Sequence, residues 1–511
     1  MVLPTPDVDG HRLDSLIVDR ATTRPTAPYL LEARGSRVVT FGQLQSEVLS
    51  LATRLRAWGV GPGDRVAILL DDPILFAQWF LAALVSGVWV APMDPSLSAT
   101  RIDRVEERAR ALSLHAIVSD RVVESDGVSW FDVTRPTLDD TAPSMPPTFE
   151  QREGGVILSS SGTTGEPKVV ALTTTHLLDV ATIIAQHNQL ELGDRGFNSL
   201  PLWHVNAEVV GLLATLIAGA SLVLDDTFHR TGFWKIVEDF DVTWINAVPT
   251  IIARLVHLDD GEQVPARVRF VRSASAPLSP SLFERFEEST KVPIIQSYGM
   301  TEAASQICVN PLDGVRKAGS VGPPVGVEVR VIPDEGSPSG GERTIGQIEI
   351  RGSTVISRYE SSGYDDRFDA EGWLRTGDLG YFDDDGYLFI VGRSDDVINR
   401  GGEKVYPLEI ENALIDVEGV ALVAVVGEPD DVFGQVPVVY VQPDPSSLLD
   451  DSQEVAALVT RLRERTLAAF PKAKRPVAVK FAHAFPLLPT GKVRKGLFRE
   501  GAVIIAYEER L

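Results

Sequence analysis

The sequence predicts an α/β protein with a large N-terminal region, a β-rich part and a small α+β C-terminal part. Three observations carry that reading. Strand-like apolar runs alternate with helix patterns from residue 40 to 118 and again from 175 to 296, the signature of parallel sheets covered by helices. After Gly319 the apolar period changes to two, with Gly, Pro and Asp at the turns. From Arg393 a compact mixed segment runs to Leu511.

Taken in order, Thr40 to Trp58 is amphipathic through Leu44, Val48, Leu51 and Leu55, and stops at Gly59. Arg65 to Leu70 reads as a buried strand, Ile74 to Val85 as a helix, and Val88 to Ala91 as a strand. A helix over Ala99 to Leu112 and a strand over His115 to Val118 close the first block. Thr134 to Pro147, rich in Pro, Thr and Asp, reads as a loop. In the second block helices are expected over 175–190, 209–218, 233–240, 249–258 and 280–289. Strands are expected over 196–200, 221–224, 243–247, 268–273 and 293–296. The β-rich part offers strands at 327–332, 346–351 and 386–391.

At 511 residues, with 44% apolar and 23% charged residues, the chain suits two or more domains with ample core. A formal charge of -23 repels nucleic acid and anionic membrane surfaces, so neither is an expected partner. Cys308 is the only cysteine, which rules out an internal disulfide and fits a reducing, cytoplasmic setting and a buried thiol. Met1 to Asp14 lacks the basic-then-apolar order of a secretory signal. Ile74 to Met93 is free of charge but carries Gln78, Ser86 and Gly87 and no Lys or Arg anchor. A helix followed by a buried strand explains it better than a membrane span.

Between the apolar runs Val156 to Leu158 and Val169 to Leu172 lies Ser159-Ser160-Ser161-Gly162-Thr163-Thr164-Gly165-Glu166-Pro167-Lys168. The flanking runs read as a hairpin-like pair of strands. The glycines let backbone N–H groups turn toward a ligand, and hydroxyls with a lysine add the donors that phosphate oxygens need. This is not a Walker A loop, because its spacing is G-x-x-G-x-x-K and Val169 stands where Ser or Thr would hold magnesium. Gln296-Ser297-Tyr298-Gly299-Met300-Thr301-Glu302 follows a strand, where ligands of open α/β sheets sit. Tyr298 can stack on a purine, Thr301 can donate to a phosphate, and Glu302 is an oxygen ligand suited to magnesium. Asp378, in the turn Arg375-Thr376-Gly377-Asp378-Leu379, can accept both hydroxyls of a ribose.

These motifs, in this order, resemble the signature of the adenylate-forming superfamily: acyl-CoA synthetases, adenylation domains of peptide synthetases, and luciferases. The resemblance runs from about Leu13 to Leu497. It implies stacked α/β sheets with a β-rich subdomain at about 320–393 in an N-terminal domain of residues 1–393. A mobile C-terminal domain of residues 394–511 would turn on a hinge at Asp395, in Gly392-Arg393-Ser394-Asp395-Asp396. The nucleotide would be held by Ser160, Ser161, Gly162, Thr163, Thr164, Gly165 and Lys168, and by Ser275, Ala276 and Pro277. Ser297, Tyr298, Gly299, Met300, Thr301, Asp378, Arg393 and Lys492 complete that set. Catalytic roles are implied for Lys492, Glu302, Thr163 and His204, with Glu302 the magnesium ligand. Lys492 would bridge the carboxylate and the α-phosphate and neutralise the developing charge.

The acyl pocket implied is Trp203, His204, Asn206, Glu208, Ala247, Ser273, Gly299 and Gln306. Pro201 to Glu208 occupies the place where related CoA ligases often read P-L-F-H-V-H-G. His204 stands where amino-acid-activating relatives place an aspartate, which argues against an α-amino acid. Asn206 and Glu208 depart from the pattern and argue against an ordinary fatty acid. Trp203 narrows the site toward a short or aromatic acid, with unusual or small inorganic acids still open. A coenzyme A channel is implied at Gly401, Gly402, Glu403, Lys474 and Arg475. From Arg461 to Lys495 ten Lys or Arg face one acid, Glu464, which reads as a landing site for CoA phosphates or as a solvated helix face and basic tail.

Three functions are thereby expected in descending order. First comes an ATP- and magnesium-dependent ligase that transfers its acyl-adenylate to coenzyme A. Second comes an adenylating ligase that serves an amine or a carrier-protein thiol, and last a non-catalytic nucleotide-binding module. An oligomer is possible in each case.

Overall fold

The computed structural model describes residues 12–97, 101–121, 128–134, 153–160, 168–258, 261–333, 344–487 and 493–511. Two α/β sheets dominate. The six-stranded one runs Ser129–Asp132, Ala116–Ser119, Arg65–Leu69, Trp89–Pro92, Gly155–Ser160 and Lys168–Thr173 from edge to edge. Its strands are parallel except the last, which pairs antiparallel with Gly155–Ser160 so that the two flank the Gly/Ser/Thr segment. The eight-stranded sheet runs Cys308–Val309, Ile294–Tyr298, Phe270–Ser273, Trp244–Ala247, Arg195–Asn198, Ser221–Leu224, Pro28–Glu32 and Val38–Thr40. Only its two edge strands are antiparallel.

The two sheets share one core. Val66, Ile68, Val90 and Val118 from the first sheet and Leu30, Leu222, Trp244, Phe270 and Ile295 from the second belong to a single cluster. Helices Phe41–Ala57, Pro73–Val85 and Thr174–His187 fill the space between. The first starts on a capping box in which Thr40 and Gln43 satisfy each other's backbone N–H groups. Asp72 caps the second, whose apolar residues are buried nearly all round. That burial explains why Ile74 to Met93 carries no charge. Among the described residues no helix is long and apolar enough to cross a membrane. The outer face of the eight-stranded sheet is covered by Phe233–Asp239, Pro249–Leu255 and Pro280–Thr290.

The β-rich part is a four-stranded antiparallel sheet of Glu328–Pro333, Gly346–Arg351, Leu374–Phe382 and Leu388–Arg393. A last sheet is built wholly from residues after 397: Glu403–Val405, Ile398–Arg400, Gly434–Pro443, Ala478–Phe481 and Tyr507–Arg510, with Val420–Asp430 paired to Gly434–Pro443. It has its own core beneath Pro407–Leu414 and Ser452–Ala469.

Two expectations change. Thr376-Gly377-Asp378, expected as a turn, lies inside the nine-residue strand Leu374–Phe382. Gly377 has φ +80° and the register shifts between Gln347 and Glu349, so turn-like residues mark a bulge here. The helix expected over 209–218 starts as a π-helix, Ala207–Leu213, and becomes α-helical only at Ala214–Ala218. Such wide turns collect at functional sites. This one carries Glu208.

Candidate active site

Strand Ile294–Tyr298 delivers the central loop. Ile307 N donates to Tyr298 O at 2.8 Å and Ser305 N donates to Met300 O at 3.0 Å, so the chain folds back on itself at once. Ala304 and Ser305 take φ 45° and 85°, a left-handed pair that non-glycine residues hold only under restraint. Gly299 is obligatory here, because a Cβ would lie 1.9 Å from Ser305 O. The loop carries Thr301 and Glu302 in a one-turn 3-10 helix.

Glu302 is buried, and its Oε1 accepts a hydrogen bond from the Tyr359 hydroxyl at 2.9 Å. Lys168 Nζ lies 5.9 Å from the centre of the Tyr359 ring and 5.3 Å from that of Tyr364. Burial lowers the Lys168 pKa, and the Arg367 guanidinium lowers it further. The end of the Gly/Ser/Thr segment and the carboxylate on the central loop therefore meet across two tyrosines. One carboxylate with substrate phosphates is a sufficient ligand set for magnesium, so Glu302 fits that ion.

At the other end of the loop the Tyr298 hydroxyl donates to Asp378 Oδ2 at 2.5 Å. Burial first, and then the Asp378 charge, push the Tyr298 pKa far up, so it stays a neutral donor. Asp378 and Arg393 face each other across the antiparallel pair, with Nη1 and Oδ1 3.5 Å apart. Arg393 Nε also donates to Asp395 Oδ1 at 3.3 Å. Tyr298, Asp378 and Arg393, far apart in sequence, form one cluster.

A buried polar network lies beside this loop. Asn198, Asn246 and Arg272 stand side by side on three parallel strands. Asn246 Nδ2 donates to Asn198 Oδ1 and to Asn206 Oδ1, both at 3.0 Å, and Asn206 Nδ2 donates to Ser305 Oγ at 3.2 Å. Arg272 Nη2 donates to Gln306 Oε1 at 2.8 Å. Ala247 and Ser273 are opposite each other in the same sheet. A cavity of ≈ 310 Å³ is lined in part by His204, Asn206, Val248, Arg254 and Ser275. Trp203 packs on His204 with ring centres 4.2 Å apart. Burial pushes the His204 pKa down to about 4, so its ring is neutral at physiological pH. Glu208 is fully buried, its carboxyl oxygens have no partner among the described residues, and burial pushes its pKa well up.

A family model described as AMP-binding enzyme matches residues 17–360, and one described as AMP-binding enzyme C-terminal domain matches residues 409–492. The chain belongs to the AMP-binding enzyme family. It is similar to a sulfoacetate–CoA ligase of Cupriavidus necator, 35% identical over 505 residues, with 94% of this chain and 96% of the relative covered. It is also similar to an oxalate–CoA ligase of Arabidopsis thaliana, 30% identical, with 96% of this chain and 98% of the relative covered. Among solved structures, o-succinylbenzoate CoA synthetase from Bacillus subtilis with its acyl-adenylate superposes with a TM-score of 0.81 at 27% identity, covering 95% of this chain and 97% of that one. ATP-bound MatB from Rhodopseudomonas palustris gives 0.83 at 25% identity, covering 96% and 98%.

In this AMP-binding enzyme Ser161, Gly162, Thr163, Thr164, Gly165 and Lys492 lie outside the described residues, and Ser160 ends its strand. Ser275, at φ 71°, follows strand Phe270–Ser273 and leads into Ala276 and Pro277. Gly401 and Gly402, at φ 60° and 96°, make the two-residue turn between Ile398–Arg400 and Glu403–Val405. Arg400 fastens that hairpin to the carbonyls of Ala473 and Arg475, both at 3.0 Å. Lys474 pairs with Glu409 at 3.2 Å, and Arg475 Nε donates to Phe470 O at 2.8 Å. Part of the basic segment is thus compensated within its own sheet and helices. Cys308 is fully buried, and burial pushes its thiol pKa up. Tyr359, Tyr364 and Arg367 escape sequence reading because they lie in an irregular stretch with no period.

Gly299→Ala is expected to lower adenylation at least about 100-fold and to cost about 1–3 kcal/mol of stability. The added methyl must displace the Ser305 carbonyl, and Glu302 moves with it. Pyrophosphate release and thermal melts check both effects.

Glu208→Gln is expected to raise the melting temperature at pH 7.5 and to leave it unchanged near pH 4.5. In the folded chain the Glu208 pKa lies well above its ordinary value of 4.5. Above pH 4.5 the unfolded chain therefore holds fewer protons, and the stability of the parent falls as pH rises. Glutamine removes that slope.

Proposed function

We propose that this AMP-binding enzyme is an ATP-dependent acid–CoA ligase for short acids. The observation that carries the reading is the central loop. Through Tyr298 it reaches the Asp378–Arg393 pair, through Glu302 it reaches Lys168, and through Ser305 it reaches the acid pocket. That convergence supports a site at which a nucleotide, its phosphates and an acid meet. The relatives named as sulfoacetate– and oxalate–CoA ligases support coenzyme A as acceptor and a short acid as substrate.

In the first half-reaction a carboxylate oxygen attacks the α-phosphorus of ATP, and pyrophosphate leaves. Asp378 accepts hydrogen bonds from the ribose hydroxyls, and Arg393 and Tyr298 hold that carboxylate in place. Lys168 and the donors of the Gly/Ser/Thr segment bind the leaving phosphates, and Lys492 neutralises the charge that grows on the α-phosphoryl oxygens. Glu302 would hold magnesium, which would supply further neutralisation of phosphate charge. Neutral His204 packs against the acid rather than taking its proton. In the second half-reaction the C-terminal part, residues 394–511, turns about Asp395 and brings the Gly401–Gly402 turn to the active site. Glycines there leave room for the thin arm of coenzyme A, whose thiol sulfur attacks the acyl carbonyl and releases AMP. With Cys308 the only cysteine, a cytoplasmic setting fits this enzyme.

The test is a screen of carboxylic acids by pyrophosphate release, with and without coenzyme A. Short acids are expected to drive release, and coenzyme A to accelerate it. Turnover indifferent to coenzyme A, with adenylate staying on the enzyme, contradicts the proposal.

A further inference from the structure

Arg272 has no counterion among the described residues. It is fully buried, and no acidic side chain pairs with it among the described residues. Nη2 is spent on Gln306, whereas Nε and Nη1 have no hydrogen-bond partner among those residues. Burial lowers its pKa only to about 10, so it is a cation at neutral pH. Gln306 is 2% exposed; its Oε1 is spent on Arg272 and its Nε2 has no partner there.

The surroundings do not supply the missing charge. Glu208 is fully buried without a partner among the described residues, and burial pushes its pKa well up, which favours the neutral form. His187, close enough to feel the Arg272 charge, is held neutral by burial first and then by Arg272, with its pKa down to about 4. The atoms left over on Arg272 and Gln306 are therefore all donors. A buried cation with free donors needs an anion with several oxygens, one for each N–H group left over.

Arg272 is the lateral neighbour of Asn246, which donates to the cavity-lining Asn206, and Gln306 follows Ser305, which holds Asn206 from the other side. We infer that Arg272 and Gln306 form a subsite for a second anionic group on the acid substrate. The enzyme then selects short acids that carry a second carboxylate or a sulfonate. This rests on the acid–CoA ligase reading and names its substrate class. One acid group is activated while the other is held on Arg272.

The test compares acids of matched length, malonate with propionate and succinate with butyrate, together with sulfoacetate. For the parent, kcat/KM for pyrophosphate release is expected to favour the doubly anionic acids by about 100-fold or more. Arg272→Met is expected to lose at least about 100-fold on those acids, to keep or gain activity on propionate and butyrate, and to leave the KM for ATP unchanged. Arg272→Lys falls between, and Gln306→Met, which removes the Nε2 donor and the acceptor that holds Arg272, loses about tenfold or more on the doubly anionic acids. Equal use of both classes by the parent, or equal loss of both in Arg272→Met, overturns the subsite and leaves the ligase reading intact. Doubly anionic acids that release pyrophosphate without forming a thioester sink the coenzyme A reading and leave the subsite standing. If no acid turns over, isothermal titration of malonate and sulfoacetate into the AMP-loaded enzyme decides. Binding by the parent that is lost in Arg272→Met upholds the subsite, and no binding, or the same binding in both, refutes it.

Discussion

Lys492→Ala is expected to abolish adenylate formation, by about 100- to 1,000-fold or more, while preformed acyl-adenylate is still consumed by coenzyme A. Lys492 lies in Pro489-Thr490-Gly491-Lys492, in the C-terminal part of the sequence and outside the described residues. Its proposed charge acts where negative charge grows on the α-phosphoryl oxygens, so its removal reaches the transition state more than the ground state. The proposed rotation would bring a different face of the C-terminal part to the active site and take the lysine away from it. Pyrophosphate exchange measures the first half-reaction, and thioester formation from synthetic adenylate measures the second. Equal losses in both contradict the two-pose mechanism.

Asp395→Pro is expected to reverse that pattern: adenylation largely kept, thioester formation lost by about 100-fold or more. Asp395 occupies a one-turn 3-10 helix, Ser394–Asp396, between the β-rich sheet and the last sheet. Its carboxylate accepts from Arg393 with the two side chains 36% and 40% exposed, so the contact contributes at most about 1 kcal/mol and gives way readily. The proposed hinge requires the backbone here to change φ and ψ, and proline fixes φ near −65°. Undiminished thioester production by this variant contradicts the proposed hinge.

Much of the fold was legible in the sequence because apolar period and caps are local signals. Thr40, Leu44, Val48, Leu51 and Leu55 announce the helix Phe41–Ala57, and the capping box confirms its start. Leu374–Phe382 was not legible, because Thr376-Gly377-Asp378 carries turn chemistry inside a strand that long-range pairing stabilises on both edges. The π-helix at Ala207–Leu213 was missed for a similar reason: one inserted residue per turn leaves no composition mark. In the candidate site, Tyr298, Asp378 and Arg393 could be picked out because each sits in a dense motif, and the fold brings them together. Arg272 opens the run Arg272 to Pro277, whose resemblance to the family's strand–loop gives the arginine no role of its own. Its meaning comes from Gln306, 34 positions away, and from the counterion missing among the described residues.

The central claim is that this enzyme activates its acid by carboxylate attack on the α-phosphorus of ATP. The most direct measurement uses an acid labelled with oxygen-18 in its carboxylate, with ATP, magnesium and coenzyme A, and mass analysis of the products. One labelled oxygen is expected in AMP, with unlabelled pyrophosphate and one acyl-CoA formed per AMP. Label in inorganic phosphate alongside ADP, or AMP without label, contradicts the account.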